Sequence, residues 1–249
     1  MIRRLVKRIV DEYVADPSGA ASNQLLLSLT PEEKEILDMV RQFTMTSVER
    51  IVSLLDATRY LVENSIGGDM VECGVWRGGS IMVIAEMLKR RGDTTRNLYL
   101  YDTFEGMPEP TEKDRQFDGR SAEELFEEFT KKNGAWCYAD EEDVLLNLSR
   151  TGYPDSKIKL IKGKIEETIP SVIPEEIALL RLDTDWYEST LHELEHLYPR
   201  LVSGGVLIVD DYGHWQGAKI ATDEYFSRLT TRRPFLHRID YTGRLLIKP

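Results

Sequence analysis

Five short apolar runs, at residues 70–73, 97–101, 158–161, 178–182 and 206–209, alternate with stretches of helical spacing, and this alternation constrains the fold more than any other feature. Runs of that length suit strands buried on both faces, and intervening helices make such strands parallel neighbours joined by crossovers. The first run leads into a turn holding Gly74, Gly78 and Gly79, after which Ser80 opens a helix reaching about Arg91. Ahead of that strand, Thr46 and Glu49 have the spacing of a capping box, and Val48, Ile51, Leu54, Leu55, Tyr60 and Leu61 lay an apolar stripe along a helix. Ser121 and Glu124 likewise cap a helix reaching about Lys132, leaving residues 105–120 as a long polar loop. Near the C-terminus, residues 235–239 and 245–247 flank Tyr241-Thr242-Gly243, a connection short enough for an antiparallel hairpin and too short for a crossover. The expected sheet has seven strands, the last pair antiparallel.

A chain of 249 residues with 41% hydrophobic side chains can cover both faces of such a sheet, and no repeat or Pro/Gly/Ser-rich linker divides it. One structural domain follows, with residues 1–66 as an N-terminal helical, lid-like region and 67–249 as the main α/β unit. Acidic residues outnumber basic ones by 43 to 32, and a net charge of −11 excludes general affinity for nucleic-acid phosphates. The two cysteines, Cys73 in a core strand and Cys137 in a loop, make a poor disulfide framework and point to a reducing, cytoplasmic compartment. At the N-terminus Arg3, Arg4, Lys7 and Arg8 interrupt Ile2, Leu5, Val6, Ile9 and Val10, so the segment is neither signal peptide nor membrane span. It reads as a short amphipathic helix at the surface or in a homodimer contact, with no membrane partner.

An open, mostly parallel sheet binds its ligand outside the carboxyl ends of its strands, where the strand order reverses. Acidic residues crowd that rim. Glu72, Cys73 and Gly74 follow the first strand in Val71-Glu72-Cys73-Gly74-Val75-Trp76-Arg77-Gly78-Gly79-Ser80, a glycine spacing that differs from the dinucleotide G-x-G-x-x-G. Gly74 lets backbone approach a ligand, and Glu72 suits an ammonium or sulfonium better than a pyrophosphate. Asp102 ends the second strand, where a carboxylate can accept both ribose hydroxyls of an adenosine. Asp183, Asp185, Asp210 and Asp211 gather at the next two strand ends, and carboxylates so placed call for a hard dication such as Mg²⁺, Ca²⁺ or Mn²⁺ unless Arg181 and other basic groups pair with them.

Two further signals stand apart. His192-Glu193-Leu194-Glu195-His196 fits H-E-x-x-H, but helical spacing puts Leu191, Leu194, Leu197 and Tyr198 on the core side and both histidines nearly opposite, toward solvent. His214 and Trp215, after Asp210-Asp211-Tyr212, are placed to line an acceptor pocket, with His214 a rival to Asp185 as proton acceptor.

Between residues 44 and 225 the chain resembles the macrocin O-methyltransferase (TylF-like) family. The resemblance is carried by Thr44-Met45-Thr46-Ser47, the Val71 to Gly79 loop, Tyr101-Asp102-Thr103-Phe104-Glu105-Gly106-Met107-Pro108, Arg181-Leu182-Asp183-Thr184-Asp185, Tyr187-Glu188-Ser189-Thr190 and Val209-Asp210-Asp211-Tyr212. It implies a class I methyltransferase (Rossmann-like) α/β fold, with helices on both faces of the sheet. It implies S-adenosylmethionine over Glu72, Cys73, Gly74 and Ser80, its ribose on Asp102 with Thr103 and Phe104 beside it, its adenine flanked by Gly163 and Ile165, and Asp183 in contact. Thr44, Met45 and Ser47 become part of a lid, Asp183, Asp210 and Asp211 the Mg²⁺ ligands, and Asp185 the general base. The implied reaction is methylation of a hydroxyl, and the family's acceptors point to the sugar hydroxyl of a natural-product glycoside in antibiotic biosynthesis. A non-catalytic cofactor-binding protein and a metal-dependent enzyme of other chemistry are the alternatives.

Overall fold

The computed structural model describes residues 25–230 and 233–249, so the expected N-terminal amphipathic helix lies outside the described residues. Helix α1 (Pro31–Val40) opens on Thr30, whose side chain and that of Glu33 cap each other's backbone amides. Helix α2 (Val48–Glu63) is capped by Ser47, which accepts the Arg50 amide at 3.2 Å, and not by the expected Thr46–Glu49 box. The reason is tertiary: the Thr46 hydroxyl turns into the protein, where Arg181 donates to it at 3.0 Å.

Strands β1 (Asp69–Cys73), β2 (Leu98–Asp102), β3 (Ile158–Lys162), β4 (Ile177–Leu182), β5 (Leu201–Val209), β6 (His237–Arg238) and β7 (Arg244–Ile247) form one sheet in the order β3-β2-β1-β4-β5-β7-β6. The first five are parallel, and β7 runs antiparallel to both β5 and β6. The seven strands match the expected ones to within a few residues. The largest differences are β5, which starts five residues early, and β6, which keeps only His237 and Arg238 because it is the outermost edge strand and pairs at two positions.

Alternation along the strands builds two cores. Met70, Leu98, Leu100, Leu179, Val206 and Ile208 face α1, α2, α3 (Gly79–Arg90) and α5 (Glu141–Ser149). Val71, Tyr101, Leu180, Leu207 and Val209 face α7 (Tyr187–Leu197) and α8 (Gln216–Ser227). Leu194 and Leu197 of α7 are fully buried there, each contributing roughly 1.5–3 kcal/mol. His192 and His196 are half-buried rather than solvent-facing: the rings lie 4.4 Å apart and His192 Nε2 is 2.9 Å from the Ile169 carbonyl. Helix α6 (Ile165–Thr168) approaches that side.

The segment 105–120 is polar but anchored. Asp114 is buried, accepting from the Thr111 amide at 2.8 Å and from the Tyr187 amide at 2.8 Å, while Gln116 bridges Trp215. The Asp114 carbonyl takes the Ala122 amide at the start of α4 (Ala122–Asn133), and the side chain of Ser121, at the expected N-cap position, makes no capping hydrogen bond.

Candidate active site

The strand order reverses between β1 and β4, and the carboxyl ends of β1, β2, β4 and β5 lie side by side there, where open sheets of this kind form their ligand crevice. Backbone close approach shapes its floor. Gly74 has φ +81°, and a Cβ there would stand 2.1 Å from the Asp183 carbonyl oxygen, so only glycine lets the β1 and β4 ends meet. The Gly79 amide donates to the Phe43 carbonyl at 2.9 Å, tying the start of α3 to the chain just before Thr44. Ser80 is buried in the first turn of that helix.

Asp102 is the staple of the glycine loop. Its Oδ2 accepts the Val75 and Trp76 amides at 2.7 and 3.0 Å, and its Oδ1 accepts the Phe104 amide at 2.9 Å and, more distantly, the Thr103 hydroxyl at 3.4 Å. Trp76 and Phe104 are held at positive φ by these contacts. A ribose at Asp102 therefore shares a carboxylate that already takes four donors. Gly163 donates its amide to the Asp102 carbonyl at 3.0 Å, and Ile165 is buried beside it, which brings both expected adenine neighbours to the β2 end.

At the centre stands Arg181, 2% exposed on β4 opposite Glu72. Its Nη1 donates to Glu72 Oε1 and Asp183 Oδ2, both at 2.7 Å, and its Nη2 to Asp210 Oδ1 at 2.6 Å. Arg50, from α2, pairs with the other Asp210 oxygen and with Asp240 at 3.0 Å. Ser47 donates to the same Asp240 at 2.7 Å, and the Thr44 hydroxyl accepts the Thr46 amide at 3.1 Å, so the 44–47 stretch lies across the acidic centre with Met45 half-buried between them. Sequence reasoning missed Arg50 and Asp240; Arg50 lies only three residues past Ser47, but nothing local ties it to positions 210 and 240.

Carboxylate oxygens of Asp183, Asp185 and Asp211 lie within 4.8 Å of one another. Asp210, expected as a ligand with Asp183 and Asp211, stands outside that trio, bound by two guanidiniums and Thr46. Burial is the largest influence on all of these groups. It pushes Glu72 up to about 7 despite Arg181, and Asp185 up to about 7 with the Asp183 and Asp210 charges adding to it. Asp183 and Asp211 are raised by burial and by their acidic neighbours. For Asp210 burial is outweighed by Arg181 and Arg50, which hold it below its ordinary value. His214, buried and near Arg50, is pushed down to about 4, which leaves it a weak base.

An aromatic wall borders the crevice. Trp186 and Trp215 meet edge to face at 4.9 Å, each 6.3 Å from Trp136, which stacks on Phe129 of α4 at 5.4 Å. Phe117, Tyr241 and His214 form a second corner, with ring centres 5.7 to 6.3 Å apart. Cys137, at φ +53°, lies near Asp185 and Asp183; burial first, then those carboxylates, push its thiol up.

A glycine loop stapled to an acidic β2 end, under a 3-2-1-4-5-7-6 sheet with a reversed strand, defines the class I methyltransferase fold, whose cofactor is S-adenosylmethionine. The macrocin-O-methyltransferase (TylF) family matches residues 35–248, and the chain belongs to that family: it is an O-methyltransferase. Among curated relatives it is 34% identical over 200 residues to 8-demethyl-8-(2,3-dimethoxy-alpha-L-rhamnosyl)-tetracenomycin-C 4'-O-methyltransferase of Streptomyces olivaceus, covering 80% of this chain and 73% of that one. It is 31% identical to demethyldecarbamoylnovobiocin O-methyltransferase of Streptomyces niveus, covering 73% and 67%. The solved structure of the O-methyltransferase NovP superposes with a TM-score of 0.72 at 29% identity, covering 83% of this chain and 82% of that one. Among the described residues no helix is long and apolar enough to cross a membrane.

Proposed function

We propose that the enzyme methylates a sugar hydroxyl of a small glycosylated natural product, using a hard dication such as Mg²⁺ beside the cofactor. The tetracenomycin relative is named for a rhamnosyl-bearing acceptor, which supports the substrate class. The observation that carries the reading is that two of the buried carboxylate oxygens without hydrogen-bond partners, Glu72 Oε2 by the glycine loop and Asp211 Oδ2 in the acidic trio, lie at the carboxyl ends of the strands, whereas Glu86 Oε2 and Glu193 Oε2 belong to helices α3 and α7. Such atoms are costly unless a ligand completes them. An ammonium fits the first; the all-oxygen donor set fits a hard dication at the second. Asp183 and Asp211 would hold that ion. Asp210 reaches it only if Arg50 or Arg181 yields a carboxylate oxygen. When bound, the dication supplies Lewis-acid activation of the acceptor hydroxyl, and S-adenosylmethionine supplies the electrophilic methyl.

The remaining roles belong to the chain. Glu72 accepts the cofactor ammonium, Asp102 orients the ribose, and residues 44–47 cover the site. Asp185 takes the proton from the acceptor oxygen as it attacks the methyl in line; positioning of the two reactants contributes much of the acceleration. Phe117 and Tyr241, both exposed beside His214, form the surface against which the acceptor ring lies, with Trp215 buried behind them. Calorimetry with S-adenosylmethionine, combined with turnover assays on glycosylated acceptors with and without EDTA, tests the proposal. Cofactor binding with EDTA-sensitive turnover is expected, and turnover indifferent to EDTA removes the dication from it.

The raised carboxyls give a second expected result. Glu72 and Asp185 rise from 4.5 and 3.8 to about 7 in the folded protein. The folded state thus binds more protons than the unfolded one in that window, and their contribution to stability is lost as pH climbs toward 7. A dication favours the ionised forms and releases those protons. Thermal melts are therefore expected to show Mg²⁺ raising Tm more at pH 8 than at pH 6; equal shifts at both pH values contradict the assignment.

A further inference from the structure

The H-E-x-x-H segment of α7 takes no part in the chemistry above, yet Glu193 is fully buried on a helix face shared with Ser189, Thr190, Leu194 and Leu197. A carboxyl group in such a place destabilises the fold unless a partner compensates it. Glu193 Oε1 accepts the Thr184 hydroxyl at 2.9 Å, while Oε2 is buried without a hydrogen-bond partner, so the Thr184 bond is the one that anchors this carboxyl. Thr184 sits between Asp183 and Asp185. Its carbonyl accepts the Trp186 amide at 2.7 Å, closing a three-residue turn with Asp185 at φ +67°. Turns of this kind with positive central φ are the strained form, and a non-glycine residue held there costs about 1–3 kcal/mol and persists only where its surroundings over-determine it. On the other side, the Asp183 amide donates to the Cys73 carbonyl at 2.8 Å, and the Cys73 thiol faces the Glu193 carboxyl. Glu193 thus touches the ends of both β1 and β4 from beneath the crevice.

We propose that Glu193 is a positioning residue that locks the strained Asp183-Thr184-Asp185 turn through the Thr184 hydroxyl, and so sets the spacing of the carboxylates around the dication. Its effect on metal rests on the cation reading above; its effect on the turn does not. Without the contact, the turn relaxes toward ordinary backbone angles and Asp185 swings away from Asp211.

The test compares full-length wild type with Thr184→Val, Glu193→Ala and Glu193→Gln. Thr184→Val and Glu193→Ala are each expected to weaken Mn²⁺ binding, read by electron paramagnetic resonance, by about 10- to 100-fold. Their double variant loses no more than either alone, since both remove one contact. Glu193→Gln keeps an acceptor oxygen and stays near wild type, and S-adenosylhomocysteine affinity is unchanged in all. In metal-free protein the Trp186 amide exchanges with solvent at least about tenfold faster in the two loosened variants. If wild type binds no Mn²⁺, the cation reading fails and amide exchange alone decides the positioning role. Wild-type exchange in Thr184→Val overturns the proposal, and so does Glu193→Gln behaving like Glu193→Ala.

Discussion

Asp185→Asn is expected to lower kcat by about 10²- to 10⁴-fold, the usual contribution of a positioned general base, while affinity for S-adenosylhomocysteine stays close to wild type. The separation follows from where the side chain lies. Asp185 belongs to the β4 turn among Asp183 and Asp211, whereas the proposed cofactor contacts, Glu72 and Asp102, stand at the β1 and β2 ends. Asn keeps the shape and one oxygen acceptor but cannot take a proton. Single-turnover methyl transfer and calorimetry on the same preparation separate the two quantities. Retained turnover would strip Asp185 of its role as base. His214→Gln serves as the comparison, because an imidazole pushed down to about 4 is a poor proton acceptor and its loss should cost far less.

Arg181→Leu is expected to destabilise the fold by about 3–5 kcal/mol, the cost of removing one partner from a buried ionic network. Glu72, Asp183 and Asp210 would each lose a hydrogen bond of 2.6–2.7 Å and be left as neighbouring like charges. Lysine is no substitute, since its ammonium lacks the planar fork that reaches all three. The sign of the pH dependence is fixed. Without the guanidinium Glu72 and Asp183 rise further above their unfolded values and Asp210 loses one of the two cations that hold it below its own, so the variant's deficit grows as pH climbs through them. Urea unfolding at pH 5 and pH 8 should show the larger deficit at pH 8; a deficit independent of pH means that the loss is one of packing alone.

Much of the fold and of the acidic rim is legible in the sequence alone. Apolar runs marked the parallel strands because a strand covered on both faces carries no solvent side, and the acids at their carboxyl ends marked the crevice. The rest depended on partners far apart in sequence. Thr46 looked like a helix cap, but Asp210, 164 residues on, and Arg181 claim its hydroxyl. Asp210 looked like one aspartate among four, and only the approach of Arg50 from α2 sets it apart. Residues 105–120 read as a long polar loop, and the buried bonds of Asp114 to Tyr187 and of Gln116 to Trp215 have no local signature. Periodicity assigned the α7 histidines to the outer face and left Glu193 unremarked, since one acid in an apolar stripe becomes interpretable only when its Thr184 partner is seen.

The placement of the indoles has a practical consequence. The chain has four tryptophans. Trp76 rides on the glycine loop after β1, and Trp136, Trp186 and Trp215 cluster beside the β4 and β5 ends. None sits at the opposite end of the sheet to add a constant background. Intrinsic emission from this protein is thus a label-free optical signal dominated by the catalytic end, and occupancy by donor or acceptor can be followed in real time without attaching a dye.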